Sequence, residues 1–247
     1  MSTDQRAAIV TGASAGIGLA VATALCEDGF AVTMSARREA RLLAAAAPLS
    51  ARGFEIETVP ADASAVGAAS ALVAAHLARF QRLDVVVANA GWGNGGSVAE
   101  SSANDLERML SINVAAPFAL AKAAIPAMRR GADGDGGSSW FVITSSIAGD
   151  WPTAGFAGYA ASKAASVSLA RSIAAEEART GVRACAVMPA FVSTDMTAWL
   201  GDSLPAADML DAADVAETIR FLLRLSPAAS VTELVLRRAG APHPHAP

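Results

Sequence analysis

AIVTGASAGIG, residues 8–18, decides the fold. An apolar run, Ala8–Thr11, breaks into a turn carrying Gly12, Gly16 and Gly18, and helical periodicity starts at once from Ile17. Glycine permits the tight turn and lets backbone come close to a ligand. The helix N-terminus behind it offers N–H donors and a positive dipole to an anion. With Ser14, Ala15 and Ile17 on its lip, this strand–turn–helix is the context a dinucleotide pyrophosphate site requires.

Outward from that turn, strand-like and helical stretches alternate. Strands are expected at Ala8–Thr11, Ala31–Ser35, Glu55–Pro60, Val85–Asn89, Trp140–Thr144, Arg183–Val187 and Thr232–Leu236. Helical periodicity fills Ile17–Asp28, Ala65–Phe80 and Ala103–Met128 between them. This alternation predicts an α/β fold: a doubly wound, seven-stranded, mostly parallel sheet in a single domain, residues 1–247. The Gly/Asp-rich stretch Arg129–Ser139 reads as a surface turn between a helix and the next strand. The Pro-rich end, 241–247, reads as a frayed tail whose His243 and His245 bind metal weakly at most.

Hydrophobic residues make up 53% and charged residues only 17%, the balance of a buried sheet covered on both faces. A net charge of −4 leaves no electrostatic footprint for nucleic acid. Cys26 and Cys185 have neither CxxC nor metal spacing and read as buried thiols of a cytoplasmic protein. The start, MSTDQRAAIVTG, shows no signal peptide, and no long apolar segment reads as a membrane span.

The second strand ends at Ala36-Arg37-Arg38, where an acidic side chain would hold the ribose 2′-OH of NAD. A guanidinium fork with no carboxylate favours the extra phosphate of NADP(H), with NAD(H) the lesser choice. Asp62 with Ala63, after the third strand, is placed to meet the adenine, and Asn89-Ala90-Gly91 passes beneath the adenosine ribose.

Tyr159 and Lys163 stand four residues apart, and so share one helix face; Ser146 lies thirteen residues upstream. A free phenol titrates near ~10. A neighbouring ammonium is expected to lower that value and make the phenol a general acid/base without a metal.

These pieces together resemble the short-chain dehydrogenase/reductase family in its single-domain form, over nearly the whole chain. The resemblance rests on TGASAGIG, NAG at 89–91, Asn113 in SINVAAP, Ser146, YAASK at 159–163 and MPAFVSTDM at 188–196. It implies a Rossmann-type fold and a catalytic tetrad of Asn113, Ser146, Tyr159 and Lys163. It also implies that Asn113 kinks its helix and anchors a proton-relaying water. Pro189, Ala190, Val192 and Thr194 would hold the nicotinamide end, and Lys163 its ribose hydroxyls. Two departures stand out. Pro189-Ala190 replaces the family's frequent Pro-Gly, and the chain lacks an Asp-Gly-Gly ending after Leu236. The second puts a tetramer in doubt and leaves a homodimer through the 103–128 and 159–178 helices.

Three of the four tryptophans, Trp92, Trp151 and Trp199, fall where the resemblance places substrate, with Phe156, Phe191 and Met196. Ala190–Ser203, the core of a substrate loop at about 190–210, carries Asp195 and Asp202 but no Lys or Arg. An apolar pocket without a cationic clamp favours a neutral, cyclic or aromatic carbonyl or alcohol over an anionic substrate. The alternatives are an NAD-dependent sugar-alcohol or amino-alcohol dehydrogenase and a catalytically silent NADP(H)-sensing protein.

Overall fold

The computed structural model describes residues 5–135 and 138–240. Seven strands form one sheet: β1 (Ala7–Thr11), β2 (Ala31–Ala36), β3 (Ile56–Pro60), β4 (Val85–Ala88), β5 (Ser139–Thr144), β6 (Val182–Pro189) and β7 (Glu233–Leu236). Their order is β3-β2-β1-β4-β5-β6-β7, and every neighbouring pair is parallel. Seven α-helices accompany them: α1 (Gly16–Glu27), α2 (Glu39–Ala51), α3 (Ala68–Phe80), α4 (Ala103–Leu110), α5 (Ala116–Asp135), α6 (Ala157–Glu176) and α7 (Ala212–Leu223).

Central strands covered on both faces need apolar residues throughout, and β1, β4 and β5 are buried at every position. Side chains alternate between two cores. Ala8, Val10 and Trp140 join residues of α1, α2 and α7; Ile9 and Phe141 join residues of α3, α5 and α6. The strand order reverses between β1 and β4, which opens a crevice at the strands' carboxyl ends. All the site residues discussed below lie around that crevice.

His76 is fully buried and ties α3 to β2. Its Nε2 lies 2.9 Å from the Arg82 carbonyl, which can only accept, so Nε2 carries the proton and Nδ1 accepts from Thr33 Oγ1 at 2.7 Å. Burial pushes this imidazole down to about 4.

Several expectations are corrected. The helix expected at Ala103–Met128 carries a π-helical stretch, Ser111–Ala115, at the Asn113 where the resemblance implies a kink, and it runs on past Met128 through Gly131 to Asp135. Much of the Gly/Asp stretch is therefore helix, because Ala132 is buried and the Arg129 guanidinium pairs with the buried carboxylate of Glu177, at 2.8 Å from Nε. α3 starts at Ala68, behind left-handed Gly67, three residues later than expected. The helix from Ala103 to Ala132 is also long and apolar enough to cross a membrane by length and composition. Leu120, Ala121, Ala124, Ala127 and Met128 nonetheless pack into the second core, as in the central helix of a globular domain. The expectations for 241–247, His243 and His245 included, lie outside the described residues. Both cysteines are buried, and burial pushes both thiols up to about 12.

Candidate active site

The turn after β1 is built around absent side chains. A Cβ on Gly18 would lie 2.3 Å from the Gly12 carbonyl oxygen, and one on Gly12 would lie 3.0 Å from Ala90 Cα. Gly12 also sits at φ +65, in the left-handed region. Asn89 locks the turn to the end of β4, donating from Nδ2 to Thr11 O at 3.1 Å; Thr11 Oγ1 accepts from the amides of Asn89 and Ala90. No side chain caps the N-terminus of α1, and no acidic residue sits in its first turn. Its leading N–H groups and dipole stay available to an anion, so the cradle fits a pyrophosphate.

A cleft beyond β2 is lined by Ala36, Arg37, Arg38, Asp62, Ala63 and Ala90, together with Trp92, Arg108 and Ile112. Asp62 accepts from the Ser64 amide at 3.0 Å and the Ser64 hydroxyl at 2.6 Å, and these bonds hold its carboxyl below the usual range, helped by Arg37. One Asp62 oxygen therefore braces its own turn. Trp92 belongs here and not with the other aromatics. Its ring lies under the Arg108 guanidinium, 4.4 Å from Cζ to centroid, and its backbone is gripped by Asn113. Trp92, expected with the substrate aromatics, lines this cleft and not the cavity that holds Trp151 and Trp199.

A second cavity, of about 800 Å³, runs from Gly12, Ala15, Gly16 and Ile17 past Asn89 and Gly91 to Tyr159, Lys163 and Ser146. Its outer wall brings together Trp151, Phe156, Phe191, Met196 and Trp199, with Pro189, Ala190, Val192 and Thr194 along the loop after β6. The Phe156 and Trp199 rings sit 6.0 Å apart at 36°. A Cβ on Gly16 would meet Thr194 Cγ2 at 2.9 Å, so that loop lies directly over the glycine turn. The Ala190 amide is bound to Leu236 O on β7 at 2.9 Å, so the extra methyl stands on a backbone held in place.

α6 presents Tyr159 and Lys163 one turn apart. Lys163 is buried, and Nζ donates to Thr144 O at 2.9 Å, 5.6 Å from the tyrosine ring centroid. Burial lowers this ammonium to about 8. Burial also raises the Tyr159 phenol, with the hydrogen bond to Ser146 pulling the other way. The lowering expected from Lys163 is not found: burial moves the phenol up, Ser146 is what opposes it, and the Lys163 ammonium is turned to the Thr144 carbonyl. Ser146 begins a short 3₁₀ turn, Ile147–Gly149, after β5. Ser145 is committed elsewhere, donating to Lys163 O at 3.0 Å.

Asn113 is buried within the π-helical stretch, a distortion common at functional sites. Oδ1 accepts from Trp92 N at 3.0 Å, while Nδ2 donates to Trp92 O at 2.8 Å and to Ser162 Oγ at 2.9 Å. Both amide hydrogens are spent, so its side chain acts as a strut. Sequence reading missed Arg41, which lines the cavity and pairs with Asp195 at 2.7 Å, and the glycines of Gly93–Gly96. The density of glycine in GWGNGG was the available signal; nothing in the sequence links positions 41 and 195.

The family model for short chain dehydrogenase matches residues 6–204. A 3-oxoacyl-[acyl-carrier-protein] reductase of Synechocystis is 32% identical over 91% of this chain and 92% of its own. An alcohol dehydrogenase of the archaeon Thermococcus sibiricus, solved with 5-hydroxy-NADP, superposes with TM-score 0.85 at 30% identity, covering 96% of this chain and 97% of its own. A variant of the actinorhodin polyketide ketoreductase with NADPH gives TM-score 0.85 at 29% identity, covering 95% and 96%. A chain matched this way along most of its length belongs to the short-chain dehydrogenase/reductase family: it is an oxidoreductase that uses a nicotinamide cofactor to interconvert a carbinol and a carbonyl on a small molecule.

Proposed function

We propose that the protein is an NADP(H)-preferring carbonyl reductase or secondary-alcohol dehydrogenase for a neutral, cyclic or aromatic substrate, with Tyr159 as general acid/base. The observation that carries this reading is one cavity holding the glycine turn, Ser146, Tyr159, Lys163 and an aromatic wall. The nicotinamide, when bound, supplies or accepts the hydride. Ser146 and Tyr159 hydrogen-bond the substrate oxygen and polarise it. Because burial keeps the phenol protonated at neutral pH, Tyr159 is set to donate a proton to that oxygen, a contribution of ~10²–10⁴-fold. Lys163 holds the nicotinamide ribose hydroxyls and supplies positive charge when the phenol becomes anionic. Asn113 keeps the site's backbone in place; any relay water it anchors must use its main-chain carbonyl or the spare Oδ1 lone pair.

Tyr159→Phe is expected to abolish turnover while cofactor binding, followed by nicotinamide fluorescence, survives. Near-normal turnover in that variant removes the mechanism. The NADP(H) preference rests on the exposed Arg37 and Arg38 beside the adenosine cleft, since the fold itself serves either dinucleotide. Arg37→Ala should weaken NADPH and leave NADH unchanged; equal loss for both overturns the preference.

The names of the relatives favour a second reading, a 3-oxoacyl group on a carrier protein. Against it, Arg41 and Asp195, the charges beside the aromatic end, are paired with each other, and Arg129 is taken by Glu177. Rates on neutral, anionic and carrier-linked ketones separate the readings. We also infer a homodimer through α4–α5 and α6, where Leu106, Leu110 and Phe118 stand exposed; sedimentation equilibrium tests it.

A further inference from the structure

We propose that Gly93 is a positioning residue for Tyr159, and that Ser162 braces the same tyrosine from its backbone. This inference rests on Tyr159 being the proton donor. A Cβ on Gly93 would lie 2.7 Å from Tyr159 Cδ2 and 3.0 Å from Cε2, closer than real carbon atoms approach. Gly93 is not in the left-handed region, so its requirement is for space and not for backbone freedom. The segment therefore abuts the Cδ2–Cε2 side of the tyrosine ring.

What makes this contact decisive is that neither side is free to give way. Trp92, the preceding residue, has its N–H and its C=O both bound by the buried amide of Asn113. Asn113 in turn donates to Ser162 Oγ, and Ser162 Oγ donates to the Tyr159 carbonyl at 2.7 Å. The chain of contacts closes on itself: Tyr159 backbone, Ser162, Asn113, Trp92, Gly93, Tyr159 ring. Ser162 is fully buried, and the circuit has no solvent-exposed link between Asn113 and α6. On the far side, the phenol end meets Ser146. The tyrosine is thus held at its backbone, one side of its ring and its oxygen, which is the preorganisation proton transfer needs. Gly95 plays the neighbouring part with a different ring. Its Cβ would reach Phe156 Cε1 at 3.3 Å, a contact with the substrate wall and not with the proton donor.

The test uses the full chain carrying Gly93→Ala or Gly95→Ala, measured for kcat, KM, cofactor Kd and melting temperature. A fifth readout is the absorbance titration of tyrosinate, which reports Tyr159 alone because the chain has one tyrosine. Gly93→Ala is expected to lower kcat by about 10²-fold, the cost of a misplacement near 1 Å. Its cofactor Kd should be unchanged and its phenol midpoint displaced. Gly95→Ala should raise KM and retain kcat. A Gly93→Ala enzyme with wild-type kcat and midpoint overturns the proposal, as does a Gly95→Ala enzyme that reproduces the kcat loss. If Gly93→Ala does not fold, Ser162→Ala decides: kcat lost with Kd held supports the brace, and wild-type kcat and midpoint overturn it. An active Tyr159→Phe enzyme would instead remove the functional reading itself; an inactive one beside a normal Gly93→Ala removes only the positioning.

Discussion

Tyr159 and Lys163 titrate in opposite directions, and both for the same reason: each loses solvent on α6. Burial favours the neutral form of each, so the phenol moves up and the ammonium moves down to about 8. On the proposed mechanism, carbonyl reduction needs a protonated phenol, which burial favours, and a charged Lys163, which is present below about 8 and lost as pH rises through it. The rate of reduction, as kcat/KM against pH, should therefore be level below about 8 and fall above it. A profile that stays flat up to the titration range of a free phenol, ~10, would show that the lysine charge is not needed. The four-residue spacing that puts Tyr159 and Lys163 one turn apart on α6 was legible in the sequence. That burial would raise the phenol and that the ammonium would turn to the Thr144 carbonyl was not, because both depend on neighbours distant in the chain.

At the scale of elements, the β1–turn–α1 unit was readable at once because its demands are local. Gly18 is the clearest case: its Cβ would sit 2.3 Å from a backbone oxygen that cannot move without unmaking the turn. Gly18→Ala should abolish dinucleotide binding by calorimetry while circular dichroism stays native; retained affinity would sink this account of the cradle. The helix after Ser102 was harder. Its π-helical stretch arises because Asn113 is drawn to Trp92 and Ser162, partners 21 and 49 residues away. Its extension through Gly131 depends on Glu177 catching Arg129 across to the end of α6. Neither partner lies in the local pattern, so periodicity alone ended the helix too soon and drew it unbroken.

For the whole molecule, stability should carry a pH signature from His76. Its folded value, about 4, is depressed from 6.5, so the native state resists protonation that the unfolded chain accepts. The stability concerned is complete above 6.5 and drains away as pH falls toward about 4, amounting to about 3 kcal/mol at most. Chemical denaturation at a series of pH values should show this loss between 6.5 and about 4, before the carboxylates titrate, and His76→Gln should remove it. An unchanged slope in the variant would assign the loss elsewhere.

Sequence alone determined the parallel doubly wound sheet, the glycine turn between β1 and α1, and the helix face that Tyr159 and Lys163 share on α6, because each is written in short-range periodicity and spacing. Tertiary structure decided which cavity each aromatic joins, placing Trp92 in the cleft beyond β2, and that Asn113, Trp92 and Gly93 form contacts that close on Tyr159. It also decided the direction in which the tyrosine titrates. These depend on contacts between residues far apart in the chain and on how much solvent each group loses, and neither quantity exists until the chain is packed.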